Sequence, residues 1–352
     1  MPLPPTFVTG FHYEDQVKRM EYRQLGGTHM IVSKLSIGGG TLCNGLFGDL
    51  NFDEARETVH EAFKRGINYI DTAPFYGIFV GESETNVGRI LKDIPRQAYY
   101  IATKTCRYDR TGPNRFDFSY ERTILSINES LSRLGVDYID LYQLHDVEFA
   151  DNIDEVINGA FRACLELKKS GKIRAIGING YPLKVLQEGL IKGEGKFDTV
   201  LTYARYLMTD DSLLEYLPFF EDQKVGVINA ALTGCGLLTN RATPTWHSAS
   251  KELKAIVDEA SRICCENNVE LGKLATYHCL HIPNNTVATF LVGMEKMEYL
   301  NHNMSAYLDG LTDKEAGIYE LLMKTVFIRV RDEHKHWEGV EVNNYRLQRN
   351  KQ

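Results

Sequence analysis

The period of the apolar positions changes repeatedly along this chain, and the changes come in pairs. In "DEARETVHEAFKRG" Ala55, Val59, Ala62 and Phe63 fall at i, i+4, i+7 and i+8, the stripe of an amphipathic helix. Asp53 is placed to cap that helix and Gly66 to end it. The strand-like "NYIDTA" follows at once, and then the helical "ESETNVGRILKD". "YYIATKT" precedes "SYERTILSINESLSRLG", whose Ile124, Ile127, Leu131 and Leu134 form one stripe. The alternation continues with "YIDLYQLH" before "NIDEVINGAFRACLELKKSGK", "IRAIGING" before "PLKVLQEGLIKG", and "TVLTYAR" before "SLLEYLPFFEDQ". "VGVINAALTG" precedes a longer segment with the helical "KELKAIVDEASRICCENN" and "ELGKLATYHCLHI", and "TVATFLVGM" precedes "EYLNHNMSAY".

With "LSIGGGT" ahead of the first helix, these are eight strand–helix units. Their strands begin near Leu35, Asn68, Tyr99, Tyr138, Ile173, Thr199, Val225 and Thr286, which leaves no room for a linker. The pattern predicts an α/β chain, a single (β/α)8 TIM barrel domain over 1–352 with parallel strands and right-handed crossovers. An open Rossmann-like sheet is the runner-up, but no G-x-G-x-x-G opens any helix. Ahead of the barrel, residues 1–20, with Pro2, Pro4 and Pro5, read as an irregular arm. "EYRQLGGTHMIVSKLSIGGG" then holds a β-hairpin around Gly26-Gly27. Residues 311–352 form a C-terminal helix and tail in which "KEAGIYELLMKTV" is helical and "NNYRLQRNKQ" loose.

Composition narrows the function classes. There are 40 Lys and Arg against 47 Asp and Glu, a formal charge of -7, and no basic run of five, so no nucleic-acid partner is expected. No 18-residue apolar run occurs and residues 1–18 lack a signal-peptide core, so neither membrane insertion nor secretion is expected. The seven cysteines are odd in number, without C-x-x-C or zinc spacing. They read as free thiols in a reducing compartment, the cytoplasm. Cys264 and Cys265 are adjacent on a helix, so their thiols point apart. A metal-dependent barrel hydrolase needs clustered ligands such as H-x-H after the first strand; "LSIGGGT" has none, and no metal is expected.

A barrel of this kind carries its chemistry at the carboxyl ends of the strands. Those ends present Gly39-Gly40-Thr41, then Asp71 and Tyr76, Lys104, His145, Asn179-Gly180, and Tyr203 with Arg205. Closing the barrel brings Asp71, Tyr76, Lys104 and His145 toward one pocket. A free phenol titrates near ~10 and donates protons poorly at neutral pH, but a nearby ammonium favours the phenolate. Asp71 would hold Lys104 charged, and His145 would contact a substrate oxygen. That set describes a proton donor over a carbonyl, acid in reduction and base in oxidation. Side chains cannot supply a hydride, so a nicotinamide cofactor is implied.

"GINYIDTAPFYG", "GESETNVGRIL", "IATKT", "SINESLSRLGVDYIDLYQLH" and "IGING" resemble, in order, the signatures of the aldo-keto reductase family. The resemblance runs from about Tyr22 to Asn303. It implies NADP- or NAD-dependent hydride transfer to or from a small aldehyde, ketone or alcohol, with Asp71, Tyr76, Lys104 and His145 as the catalytic four. "IGINGYPL" and "LVGM" are most similar to the L-galactose dehydrogenase and D-arabinose dehydrogenase branch, which acts on aldoses. The resemblance also implies cofactor contacts at Gly40, Thr41, Asp71, Asn179, Lys296 and Asn303, the last on the adenine. Where many members read "IGVSN", this chain puts Asn179 at the serine and Gly180 at the asparagine. Leu201 stands where a glutamine is common, and Ala230 lies near a missing stacking aromatic. Lys296 beside Glu295 leaves NAD against NADP open. The pocket wall is expected from Phe75, Phe79, Trp246, Trp337 and Tyr345, and specificity from the loops after the first, fourth and seventh strands and from the tail. A monomer is expected, with a dimer left open. The alternative function is a nicotinamide-sensing regulatory subunit with little turnover.

Overall fold

The computed structural model describes residues 3–110, 115–283 and 285–351; Pro2 of the arm and Gln352 of the tail lie outside them. A one-turn helix α1 (Glu14–Val17) precedes a hairpin of β1 (Tyr22–Gln24) and β2 (Ile31–Ser33), which pair antiparallel. Eight parallel strands follow: β3 (Leu35–Gly38), β4 (Tyr69–Asp71), β5 (Tyr100–Thr105), β6 (Ile139–Leu144), β7 (Ile173–Gly180), β8 (Thr199–Tyr203), β9 (Gly226–Ala230) and β10 (Val287–Val292). They close as β10-β3-β4-β5-β6-β7-β8-β9, with β10 paired to both β3 and β9. The helices of the units are α2 (Phe52–Lys64), α3 (Glu82–Leu91), α4 (Tyr120–Leu134), α5 (Ile153–Val156), α6 (Arg162–Lys169), α7 (Leu183–Lys192) and α8 (Leu213–Asp222). A π turn, Ile157–Phe161, joins α5 to α6. The series continues with α9 (Lys251–Glu266), α10 (Leu271–Leu280), α11 (Met297–Leu308) and α12 (Asp313–Leu321), and ends with α13 (Val340–Arg349).

The eight strand runs therefore form a closed (β/α)8 barrel with an N-terminal hairpin. Strands covered by helices outside and by one another's side chains inside are mostly apolar, which is why they stood out as runs. Tyr69, Tyr100, Ala102, Leu141, Ala175, Leu201, Ile228 and Leu291 pack in the barrel interior. Leu25, Met30 and Val32 of the hairpin join that cluster and seal the amino-terminal end. The seal depends on close backbone approach. Gly26 has φ +56°, and a Cβ there would lie 2.3 Å from the Gly226 nitrogen. Only the carboxyl end of the barrel stays open.

Local chemistry differs from expectation at two places. Asn51, not Asp53, caps α2, its side chain accepting from the Glu54 N–H; the helix begins at Phe52, so Asp53 lies inside its first turn. Gly66 does end it, at φ +104° with its N–H on the Phe63 carbonyl. The segment expected to be loose is the helix α13. Its one buried side chain, Tyr345, sits edge-on to Phe116 and Phe149 at 5.0 and 5.6 Å. Arg349 pairs with Asp151 at 2.5 Å and Arg346 donates to the Ala150 carbonyl at 3.3 Å. A helix held by one aromatic and two arginines carries almost no apolar stripe to read. Among the described residues, no helix is long and apolar enough to cross a membrane.

Candidate active site

A cavity of about 780 Å³ opens at the carboxyl end of the barrel. On its floor Lys104, only 1 % exposed, uses all three ammonium hydrogens. It pairs with Asp71 Oδ1, donates to the Thr72 carbonyl at 2.9 Å, and donates to the Tyr76 hydroxyl at 3.4 Å. The other Asp71 oxygen accepts from Gln143 Nε2 at 2.7 Å and from the Tyr69 hydroxyl at 3.2 Å. Every polar atom of this buried pair therefore has a partner, which burying two charges demands. Burial would push the Lys104 pKa down, but Asp71 and Tyr76 outweigh it and hold the ammonium above its ordinary value. Tyr76 shows the opposite balance. Burial raises its pKa more than Lys104 lowers it, so the phenol lies above its ordinary value rather than below.

The turn that presents Tyr76 is pinned by Glu82, at the start of α3. One carboxylate oxygen accepts from the backbone and side-chain amides of Asn44 at 3.0 and 2.5 Å. The other accepts from the Ile78 N–H at 2.8 Å. Gly77, at φ +138°, makes the approach possible, since a Cβ there would lie 2.4 Å from the Glu82 Cβ. The ring of His145 faces that of Tyr76 edge-on at 5.9 Å. Burial drives the His145 pKa down to about 3, with Lys104 and Arg107 acting in the same sense against Asp146. The imidazole is neutral at any working pH.

Asp71, Tyr76, Lys104 and His145 thus converge on one cavity, and Gly40, Thr41, Asn179 and Asn303 line it as well. Lys296 does not: it precedes α11, and its ammonium lies 5.7 Å over the Tyr299 ring. Arg205 also turns away, toward Asp210 at 3.4 Å and Glu338 at 2.8 Å. Of the expected wall aromatics, Phe75, Trp246 and Trp337 line the cavity, whereas Phe79 is exposed to solvent and Tyr345 packs behind the wall. Trp246 Nε1 donates to the Leu46 carbonyl at 2.9 Å, and its ring meets Phe47 at 5.6 Å, so the loops after β9 and β3 touch. Trp337 stacks on Tyr181 at 5.0 Å and brings the tail to the mouth, where Glu341, Asn344 and Gln348 of α13 line it.

Sequence reasoning passed over Gln143, Arg107 and Asp146. Gln143 lies two residues before His145, and period two along a strand puts both on the inner face, so it could have been found. Asp146 adopts φ +51° and gathers three neighbours. It pairs with Arg107 at 2.5 Å, stands 3.5 Å from His145 Nε2, and donates its N–H to Asn179 Oδ1 at 3.2 Å.

The cavity fits a dinucleotide on several observations. Thr41 Oγ1 is buried without a partner among the described residues. Asn179 lines the cavity, its side-chain carbonyl accepting from the Asp146 N–H at 3.2 Å. Gly40 leaves its Cβ position clear except for Phe47 at 3.7 Å. Gly272 and Lys273, at the amino end of α10, line the cavity, although the Leu271 N–H there donates to Asn240 Oδ1 at 2.9 Å and the Lys273 N–H to the Glu270 carbonyl at 3.1 Å. Asn303 lines it too, with its amide engaged by Thr276 at 3.1 Å and the Gly293 carbonyl at 3.4 Å.

The model of the aldo/keto reductase family matches residues 34–322. The chain is 38% identical to L-galactose dehydrogenase of Arabidopsis thaliana over 289 residues, covering 82% of this chain and 88% of that protein. It is 30% identical to D-arabinose 1-dehydrogenase of Saccharomyces cerevisiae over 313 residues, covering 84% and 91%. Among solved structures it superposes on the holo form of aldo-keto reductase AKR11C1 from Bacillus halodurans with a TM-score of 0.66 at 28% identity, covering 90% of this chain and 100% of that one. The chain belongs to the aldo/keto reductase family and is an NAD(P)-dependent oxidoreductase that acts on carbonyl or alcohol carbons.

Proposed function

We propose that this protein oxidises the anomeric carbon of a free aldose, with NAD as the acceptor and Tyr76 as the proton-transfer group. The observation that carries the reading is the chain Asp71–Lys104–Tyr76 on the floor of a cavity whose walls set charged and polar side chains such as Arg107, Asp146 and Asn179 among aromatic and aliphatic ones. Names given to two relatives, L-galactose dehydrogenase and D-arabinose 1-dehydrogenase, support an aldose.

In this reading the anomeric hydroxyl gives its proton to the Tyr76 phenolate, and C1 becomes a lactone carbonyl. A bound oxidised nicotinamide supplies the hydride acceptor, taking the C1 hydrogen with both bonding electrons. Lys104 stabilises the phenolate and Asp71 keeps Lys104 charged and in place. Neutral His145 contacts the reacting oxygen without competing for its proton. Gly40, Thr41, Asp71, Asn179 and Asn303, which line the cavity, would hold the dinucleotide.

The preference for NAD rests on the far end of the cavity. Glu270, Glu295 and Glu298 line it. Lys273 is tied to Glu315 at 2.8 Å, which leaves Arg241 as the cation there without a carboxylate partner among the described residues. Carboxylates accept from ribose hydroxyls and oppose a 2′-phosphate. We place the protein in the cytoplasm, a reading that its seven free cysteines support.

The test is dinucleotide reduction followed by absorbance across a panel of D- and L-aldoses. Expected are turnover of at least one aldose, a kcat/KM about tenfold or more lower with NADP, and a loss of ~10² or more in turnover for Tyr76→Phe with NADH binding retained. Absence of turnover with every aldose would reject the substrate class. Undiminished turnover in Tyr76→Phe would reject the role of the phenol.

A further inference from the structure

We propose that the aldose carries an anionic group, a carboxylate or a phosphate remote from C1, and that Arg110 and Arg115 receive it. This rests on the aldose reading above and names the kind of aldose. The two arginines line the open part of the cavity together with Arg107. All three follow β5, whose Lys104 contacts Tyr76, so the charged wall and the reacting group hang from one strand.

The three guanidiniums are not equivalent. Arg107 is pinned by Asp146 at 2.5 Å and lies flat on Phe75, 3.6 Å from the ring centroid. Arg115 has no carboxylate within ion-pair distance among the described residues. It donates only to neutral oxygens, the Arg110 carbonyl and Gln348 Oε1, both at the long distance of 3.4 Å. Its Nε is buried without a partner among the described residues, and its guanidinium lies 4.6 Å from the Tyr345 ring. Arg110 has neither an acceptor nor a carboxylate partner for its guanidinium among the described residues. It passes alongside Gly45, where a Cβ would lie 3.1 Å from its Nη1.

Glu341 is the opposing charge. It lines the same cavity from α13, holds Ser248 Oγ at 3.4 Å, and attracts both Arg107 and Arg115. Three guanidiniums, Arg107, Arg110 and Arg115, stand against two carboxylates, Asp146 and Glu341, so this part of the lining keeps a net positive charge. Burial first, and then the neighbouring charge of Arg107, lower the Arg115 pKa against the pull of Tyr345 and Glu341. Guanidinium forks match carboxylate and phosphate geometry, and a bound anion would relieve that repulsion.

Phe75 relates this wall to the reacting group. Its ring lies 5.9 Å from the ring of Tyr76 and carries Arg107 on its face, so one ring links the reacting phenol to Arg107. In the proposal a sugar that presents C1 to Tyr76 reaches with its opposite end toward the arginines that line the same cavity.

The experiment compares kcat/KM for galactose, galacturonate and galactose 6-phosphate, each as the D and L sugar where obtainable, in wild type, Arg110→Gln and Arg115→Gln. All three probes keep the pyranose ring and its C1. In wild type at least one anionic sugar should exceed galactose by about tenfold or more, and whichever of the two does so identifies the group. That ratio should fall about tenfold in either variant, and it should shrink in wild type as salt is raised. A wild-type ratio at or below one, or a ratio that both variants retain, overturns the proposal. Turnover of neutral aldoses alone refutes this inference while sparing the aldose reading; no turnover of any sugar refutes that reading itself. NADH binding and circular dichroism of each variant verify that it is folded.

Discussion

Removing Lys104 gives the sharpest test of the coupling on the cavity floor. The ammonium stands 3.4 Å from the Tyr76 hydroxyl. At that separation a unit charge favours the phenolate by about 1.2 kcal/mol at the dielectric constant of water, and about 2.4 kcal/mol at half that value. Since 1.36 kcal/mol is one pK unit, Lys104→Met should raise the phenol pKa by about 1–2 units. Tyr76 is half-buried at the edge of the cavity, so these values are a lower bound and the dry-interior limit, several times larger, an upper one.

For the oxidation, activity rises with pH as the phenolate forms, so the limb moves toward higher pH in the variant. At a fixed pH below both pKa values the rate falls about ten- to a hundredfold. A second variant separates charge from simple damage. Lys104→Met alone leaves the Asp71 carboxylate behind, and Asp71 itself raises the Tyr76 pKa. Lys104→Met combined with Asp71→Asn removes both charges while keeping partners for Gln143 and Tyr69. The limb should therefore lie lowest in wild type, higher in the double variant and highest in the single one. The assay is the pH dependence of kcat/KM, with the dinucleotide dissociation constant measured at each pH. Coincident limbs in the three proteins would refute the coupling. A double variant shifted further than the single one would refute the role given to Asp71.

Two further outcomes follow. His145 has a folded pKa of about 3 against an ordinary value of 6.5, so the folded state resists its protonation. Its contribution to stability is full above 6.5 and is lost as pH falls toward 3, at about 1.4 kcal/mol per pH unit. His145→Gln should flatten the fall in melting temperature between pH 6.5 and 4.5; an unchanged slope would contradict a buried neutral imidazole. Gly180 packs against Glu148, whose carboxyl burial holds well above the usual acidic range, and a Cβ at 180 would lie 2.6 Å from Glu148 Oε2. Gly180→Ala should lower stability by about 1–3 kcal/mol and Glu148→Ala should restore much of it in the double variant, read by urea unfolding; additive losses would show that the two residues are independent.

What could be read from the chain and what could not divide along a physical line. Strand positions were legible because a parallel strand buried on both faces leaves an apolar run in one short window. The four side chains that gather on the floor were legible for the complementary reason: a charge at the end of such a run has no local excuse. Lys296 misled because a neighbouring acid and a strand end say nothing of direction. Heading α11, it lies over Tyr299 instead of reaching into the cavity. Arg241, the cation that does line that end, comes from a different loop. The cavity walls rest on pairs such as Leu46 with Trp246 and Tyr181 with Trp337, whose members are far apart in the chain and individually ordinary. The titration of Tyr76 shows the same limit in energy terms. Proximity to a lysine fixes the sign of one contribution, and that sign was correct. The net shift is a sum over everything that excludes water from the phenol, and there burial outweighs the ammonium. A bound dinucleotide and sugar would add to that burial while placing new polar groups beside the hydroxyl. The phenol pKa measured with ligands bound is therefore the quantity on which the direction of proton transfer depends.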